Sequence, residues 1–121
     1  MEKARHARAE EGRLRRTGIR FRSQWEANLA LALDRRGLAW AYEPKTFDTP
    51  HGLYTPDFQV GEVFIDIKGH RNAEQERRIN HLVAEGIHLS IVRGRRGGEP
   101  DYREVAEAIR DGQLPAGTVF T

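Results

Sequence analysis

The sequence predicts an α/β fold, a central mixed β-sheet flanked by helices. Three observations predict it. Apolar spacing and end signals give the order helix, three strands, helix, strand, helix, which suits a sheet with helices packed on it. Two of the strands form a tight hairpin, and the last is apolar enough to be buried. The 121 residues, 38% hydrophobic and 31% charged, suffice for one compact domain and not comfortably two.

Residues 1–20 read as a polar, basic arm with too few apolar residues to fold alone. Residues 21–121 form the single domain. Ser23 starts a helix that runs to about Arg36, with Gly37 as its stop signal. Residues 38–42 read as a strand closed by Glu43 and Pro44. A loop carrying Pro50 and Gly52 follows. Residues 57–60 and 63–68 read as the two strands of the hairpin. Asn72 caps a second helix that reaches about Glu85, with Gly86 ending it. Residues 87–92 form the buried strand. The glycine-rich turn 94–98 leads to a last helix over residues 101–110.

The net charge is only +2, but it is unevenly spread. Lys3, Arg5, Arg8, Arg13, Arg15, Arg16, Arg20 and Arg22 face only Glu2, Glu10 and Glu11 in the first 22 residues. Arg93, Arg95 and Arg96 cluster among glycines. Such segments neutralise phosphates and release counterions; a solvated tail and a polar loop are the alternative. No apolar run approaches a membrane span, and the charged N-terminus has no apolar signal region. The absence of cysteine excludes disulfides and thiolate metal sites and fits a cytoplasmic location.

The chemistry concentrates in the hairpin. Val60-Gly61-Glu62-Val63 fits a two-residue turn with glycine at the first central position. In that register Phe58 faces Ile65 and Asp57 faces Asp66. Directly opposed Cβ atoms lie about 4.5–5.5 Å apart, and like charges there are destabilising. A divalent cation between the carboxylates reverses that sign. Alternation puts Val63, Ile65 and Ile67 on one face and Phe64, Asp66 and Lys68 on the other. Lys68 therefore leaves the sheet beside the acids; an exposed Asp66–Lys68 salt bridge is the plainer alternative. Glu26 is the third acid. Ser23-x-x-Glu26 matches a capping box, yet on the helical wheel Glu26 falls between Leu33 and Ala30, inside the apolar stripe. A buried, unpaired carboxylate is costly, which points to a role at the site.

Ser23-x-x-Glu26, Tyr54-Thr-Pro-Asp57-Phe and Ile65-Asp66-Ile-Lys68-Gly69 together resemble the PD-(D/E)XK nuclease superfamily. The stretches Phe21-Arg-Ser-Gln-Trp-Glu-Ala-Asn and Tyr42-Glu-Pro-Lys-Thr-Phe are similar to small phage-encoded members. The likeness covers roughly residues 19–70, and Asp66 stands where glutamate is frequent. The resemblance implies a restriction-endonuclease-like core and hydrolysis of a phosphodiester. It implies that Asp57, Asp66 and the carbonyl of Ile67 bind Mg2+, with Mn2+ as a substitute. Glu26 would bind a second ion or orient its water, and Lys68 would position the nucleophile. Within the superfamily the chain is most similar to Holliday-junction resolvases of the archaeal Hjc and phage type. That implies a homodimer acting on branched DNA, the four-way junction, with the basic arm reaching into it. Nucleases of the same fold acting on flap, mismatched or linear DNA remain alternatives, as does a non-catalytic DNA-binding module.

Other candidates are weaker. His51, His70, His81 and His88 lack metal-ligand spacing and read mainly as surface residues, though His70 follows the motif closely enough to touch phosphate. Arg71 and Gln75 are placed to contact DNA from the second helix. Glu43 ends a strand near the site and suits a salt bridge at least as well as catalysis.

Overall fold

A computed structural model describes residues 18–68, 72–94, 98–114 and 119–120. The elements are α1 (Gln24–Arg35), β1 (Ala41–Tyr42), β2 (Phe47–Thr49), β3 (Gly52–Tyr54), β4 (Phe58–Val60), β5 (Val63–Lys68), α2 (Ala73–Ala84), β6 (Leu89–Arg93), α3 (Tyr102–Arg110) and β7 (Val119–Phe120). The main sheet has the order β1-β4-β5-β6-β7, and β2 and β3 form a small sheet of their own. Pairings from β1 to β5 are antiparallel and those from β5 to β7 are parallel. The fold is therefore α/β with a mixed central sheet. Among the described residues no helix is long and apolar enough to cross a membrane.

The helices start where the caps put them. Ser23, Asn72 and Asp101 each accept, through the side chain, the backbone N–H three residues on. A cap of this kind contributes about 1 kcal/mol. The three helices also end alike. Gly37, Gly86 and Gly112 have positive φ. The residue after each glycine donates its N–H back to the carbonyl of Leu33, Leu82 or Ala108 at 2.7–3.0 Å. This is the Schellman closure, which needs a left-handed residue that glycine adopts without strain.

That closure corrects two strand boundaries. Leu38 and Ile87 use their amides to finish helices, so neither begins a strand. Trp40 folds back to donate its indole N–H to Asp34 and is buried. The strand expected at 38–42 is thus only β1, and the one expected at 87–92 is β6. The loop expected around Pro50 and Gly52 is a hairpin, β2–β3. Thr49 closes its turn by accepting the His51 N–H and donating to the Gly52 carbonyl. Arg78 of α2 clamps it from outside, donating to the carbonyls of His51 and Leu53. The short β7 is a further strand that the sequence pattern did not indicate.

The β4–β5 hairpin has the expected register: Phe58↔Ile65, Gln59↔Phe64, Val60↔Val63. Gly61 has φ 60° and Glu62 does not have positive φ, the type II′ pattern. Alternation on β5 and β6 then feeds two cores. Ile65 and Val92 pack with Leu29, Leu33, Val105 and Ile109 between the sheet and α1/α3. Phe64, Leu89 and Ile91 pack with Tyr54, Ile79 and Leu82 under α2 and the small hairpin. Each fully buried side chain of this size contributes about 1.5–3 kcal/mol. Ile19 already packs on the first core, so the packed chain begins before residue 21.

Candidate active site

Asp57 does not face Asp66 across a ladder. β4 starts one residue later, and each carboxylate instead accepts a main-chain N–H from the opposite segment, Asp66 from Asp57 and Asp57 from Ile67. The Asp57 N–H donates to Asp66 Oδ1 at 2.7 Å. The Ile67 N–H donates to Asp57 Oδ2 at 2.9 Å. The Asp57 carbonyl accepts the Glu43 N–H at 2.8 Å. The simple cross-strand repulsion expected from the sequence is therefore corrected: backbone donors hold one oxygen of each carboxylate. What makes the pair costly is burial. Asp57 is 7% exposed and Asp66 1%.

Burial pushes the Asp57 carboxyl from 3.8 up to about 7, and the Glu26 charge adds to the push; the Ile67 amide, Lys68 and Arg22 pull it down. Burial likewise raises Asp66 to about 6, against the opposing pull of Lys68 and the Asp57 amide. Asp66 Oδ2 is buried without a hydrogen-bond partner. Native structures rarely leave such an oxygen alone. Hard oxygen donors of this kind suit magnesium, which takes one or two carboxylates and keeps several waters. A cation held here would satisfy the orphaned oxygen and favour the charged form of both acids. Among the described residues no group of three or more His, Asp or Glu side chains forms a preassembled metal cage. The groups that could hold a cation are the two carboxylates and the Ile67 carbonyl beside them.

Lys68 stands on the acids' side of β5, as alternation requires. Its Nζ lies 3.5 Å from Asp66 Oδ2, an ion pair without hydrogen-bond alignment. It donates to Gln75 Oε1 at 2.7 Å and sits 5.5 Å from the centre of the Tyr54 ring. Gln75, expected to contact DNA, thus orients Lys68 from α2.

Glu26 is buried, as its place on the helical wheel indicates, and is 7% exposed. The capping box is half made. Ser23 accepts the Glu26 N–H, but the Glu26 carboxylate does not return to Ser23. Its Oε1 accepts the Arg22 N–H at 3.0 Å and the Tyr42 hydroxyl at 2.5 Å. Burial, and then the bond to Glu26, push the Tyr42 phenol far up, so Tyr42 stays a donor. The Arg22 guanidinium pairs with Glu43, the salt bridge considered for Glu43 from sequence.

Glu26, Asp57, Asp66, Ile67, Lys68 and Gln75 line one open cleft of about 250 Å³, with Arg22 and the exposed Leu53 also on its wall. A larger hollow of about 510 Å³ beside α1 is lined by residues 18–21, 23, 24 and 27, and among the described residues Arg20 is its one ionisable group. Chemistry, not size, selects the smaller cleft.

Arg93 pairs with Glu76. His88 corrects the surface reading: it is half-buried, with Nε2 2.9 Å from the Leu114 carbonyl. Lys3, Arg5, Arg8, Arg13, Arg15 and Arg16, together with His70, Arg71, Arg95 and Arg96, lie outside the described residues. Sequence reasoning missed Tyr42 and Tyr54. Tyr42 stands directly before Glu43, but nothing local links it to a helix 16 residues upstream. No known protein family, curated protein or solved structure matches the chain.

Proposed function

We propose that this chain is a metal-dependent endodeoxyribonuclease with a restriction-endonuclease-like core, acting as a homodimer on branched DNA, four-way junctions above all. The observation that carries the reading is the orphaned, buried Asp66 Oδ2 beside Asp57 and Lys68 in an open cleft. Asp57, Asp66 and the Ile67 carbonyl are the groups that would hold Mg2+, or Mn2+ in its place. The cation supplies charge that polarises a phosphodiester and lowers the pKa of water.

The chain's own residues do the rest. The backbone bonds from residues 57 and 67 fix the two acids before substrate arrives, so no reorganisation is needed at the moment of reaction. Lys68, steadied by Gln75 and the Tyr54 ring, presents an ammonium that orients the attacking water and offsets charge on the phosphate. Glu26, fixed on the facing wall, orients water through the oxygen that Arg22 and Tyr42 do not occupy.

Substrate choice rests on what surrounds the site. The described chain adds little to the sheet and three helices beyond a small hairpin, so it has scant material for reading a long base sequence. Basic residues at 3–22 and 93–96 supply phosphate contacts that are independent of sequence. Paired incisions on opposed strands call for two active sites, and a twofold dimer is the commonest way to supply them.

The test is cleavage of a labelled four-way junction beside a linear duplex of the same arms, in Mg2+ and in chelator. We expect metal-dependent paired nicks in the junction. Equal cutting of both substrates would keep a nuclease and discard the junction. Binding to DNA without any cutting would leave a non-catalytic DNA-binding module.

A further inference from the structure

The end of β1 is joined to two of the acids at once. Tyr42 pairs with Phe58 in the ladder. Its ring is wedged edge-on between Phe21 and Phe58, with centroids 4.8 and 5.4 Å away. A ring held this way has one direction for its hydroxyl. That hydroxyl donates to Glu26 Oε1 and accepts from the Arg22 N–H at 3.2 Å. The same N–H also reaches Glu26 Oε1, so the carboxylate cannot turn without breaking two bonds.

Glu43, the next residue, has φ 48°. This left-handed conformation is uncommon for a residue with a Cβ and persists only where the surroundings enforce it. In it, the Glu43 N–H reaches the Asp57 carbonyl while its carboxylate holds the Arg22 guanidinium. Two successive residues therefore tie down the acid from α1 and the acid ahead of β4. Helix capping does not require this, because Ser23 alone supplies the cap. Core packing does not require it either, since phenylalanine at 42 would fill the same space between the rings.

We infer that Tyr42 is a positioning residue for Glu26, its hydroxyl fixing the carboxylate so that the remaining oxygen serves the cleft. The inference rests on the nuclease reading and deepens it. Groups that orient a metal site from behind carry about 10–100-fold in activity or metal affinity.

The experiment uses the full chain as wild type, Tyr42→Phe, Glu26→Gln and the double variant. Three quantities are read: the single-turnover rate on a four-way junction in Mg2+, the DNA concentration giving half that rate, and Mn2+ binding without DNA, followed by electron paramagnetic resonance. Tyr42→Phe keeps the ring, and its unfolding midpoint is measured to establish that the variant is folded. We expect the rate to fall about 10–100-fold, half-saturation to stay unchanged and Mn2+ binding to weaken several-fold. In the Glu26→Gln background, Tyr42→Phe should cost nothing further. Wild-type rate and Mn2+ binding in Tyr42→Phe would overturn the inference and leave the nuclease standing. So would losses that multiply in the double variant, which mean that the hydroxyl acts apart from Glu26. A wild-type protein that neither cleaves DNA nor binds Mn2+ would overturn the nuclease reading, and the inference with it.

Discussion

Asp57 and Asp66 are gripped by main-chain amides of their own hairpin, whereas Glu26 is gripped by a phenol from another strand and an amide just ahead of its helix. The first grip is local and depends on register alone. The second joins two segments, residues 22–26 and Tyr42, with the Arg22–Glu43 ion pair at its edge. Main-chain holding makes the paired acids rigid but buries them at a cost in charge. Holding by Tyr42 and the Arg22 amide fixes one oxygen of Glu26 and leaves the other to the cleft. The paired acids therefore depend on one hairpin, and Glu26 on a contact between α1 and β1.

The largest expected effect tests the buried pair. Asp57→Asn or Asp66→Asn should abolish cleavage while leaving DNA binding largely intact. Both folded carboxyls titrate well above the ordinary 3.8, at about 7 and about 6. The stability this contributes is fully present below about pH 4 and is lost as pH rises through 6 to 7, because the folded state binds protons the unfolded chain has released. The metal-free wild type should lose stability across that window relative to either Asn variant. The difference at pH 8 should be on the order of 3–4 kcal/mol, the carboxyls being raised by about two to three pKa units of about 1.4 kcal/mol each. Saturating Mg2+ should flatten the wild-type curve. Urea unfolding at pH 4, 6 and 8 measures this, and identical pH profiles for wild type and variants would place the cost of the pair elsewhere.

Lys68→Ala sharpens the same contrast. Removing one group that stabilises developing charge costs about 10²–10³ in rate, and we expect a loss of that size in single-turnover cleavage. Lys68 also pulls the carboxyls of Asp57 and Asp66 down. Its loss should therefore deepen the fall in metal-free stability between pH 4 and 7. An unchanged rate would reduce Lys68 to a salt bridge.

The smallest effect lies furthest from either grip. Deleting residues 1–17 removes Lys3, Arg5, Arg8, Arg13, Arg15 and Arg16. Folding should survive, and junction binding should weaken more than duplex binding. The slope of log affinity against log salt should fall by about 0.9 for each phosphate that the arm no longer neutralises. Equal weakening on both substrates would make the arm a nonspecific tether.

The contrast also separates what the sequence made legible. Helix caps, glycine stops and the Val60–Val63 turn are signals within a few residues, so α1, α2, α3 and the hairpin register could be read directly. Asp57, Asp66 and Lys68 followed from that register. The strand starts at 38 and 87 were misplaced because a Schellman closure claims the very amide that an apolar residue would otherwise offer to a sheet. The β2–β3 hairpin escaped notice because its strands are three residues long and a side chain of α2 holds them. Tyr42, and the bond from Lys68 to Gln75, escaped because hydrogen bonds between distant segments have no period.

Position 67 illustrates how the two demands on the hairpin are kept apart. The amide of Ile67 belongs to the site, while its side chain packs on the α1/α3 core. Nearly any residue can supply the amide, proline excepted. The middle position of Asp66-x-Lys68 is therefore open to drift in size and shape under selection for stability, without moving an acid. The geometry of the acids and the composition of the core can vary as independent traits on a single residue.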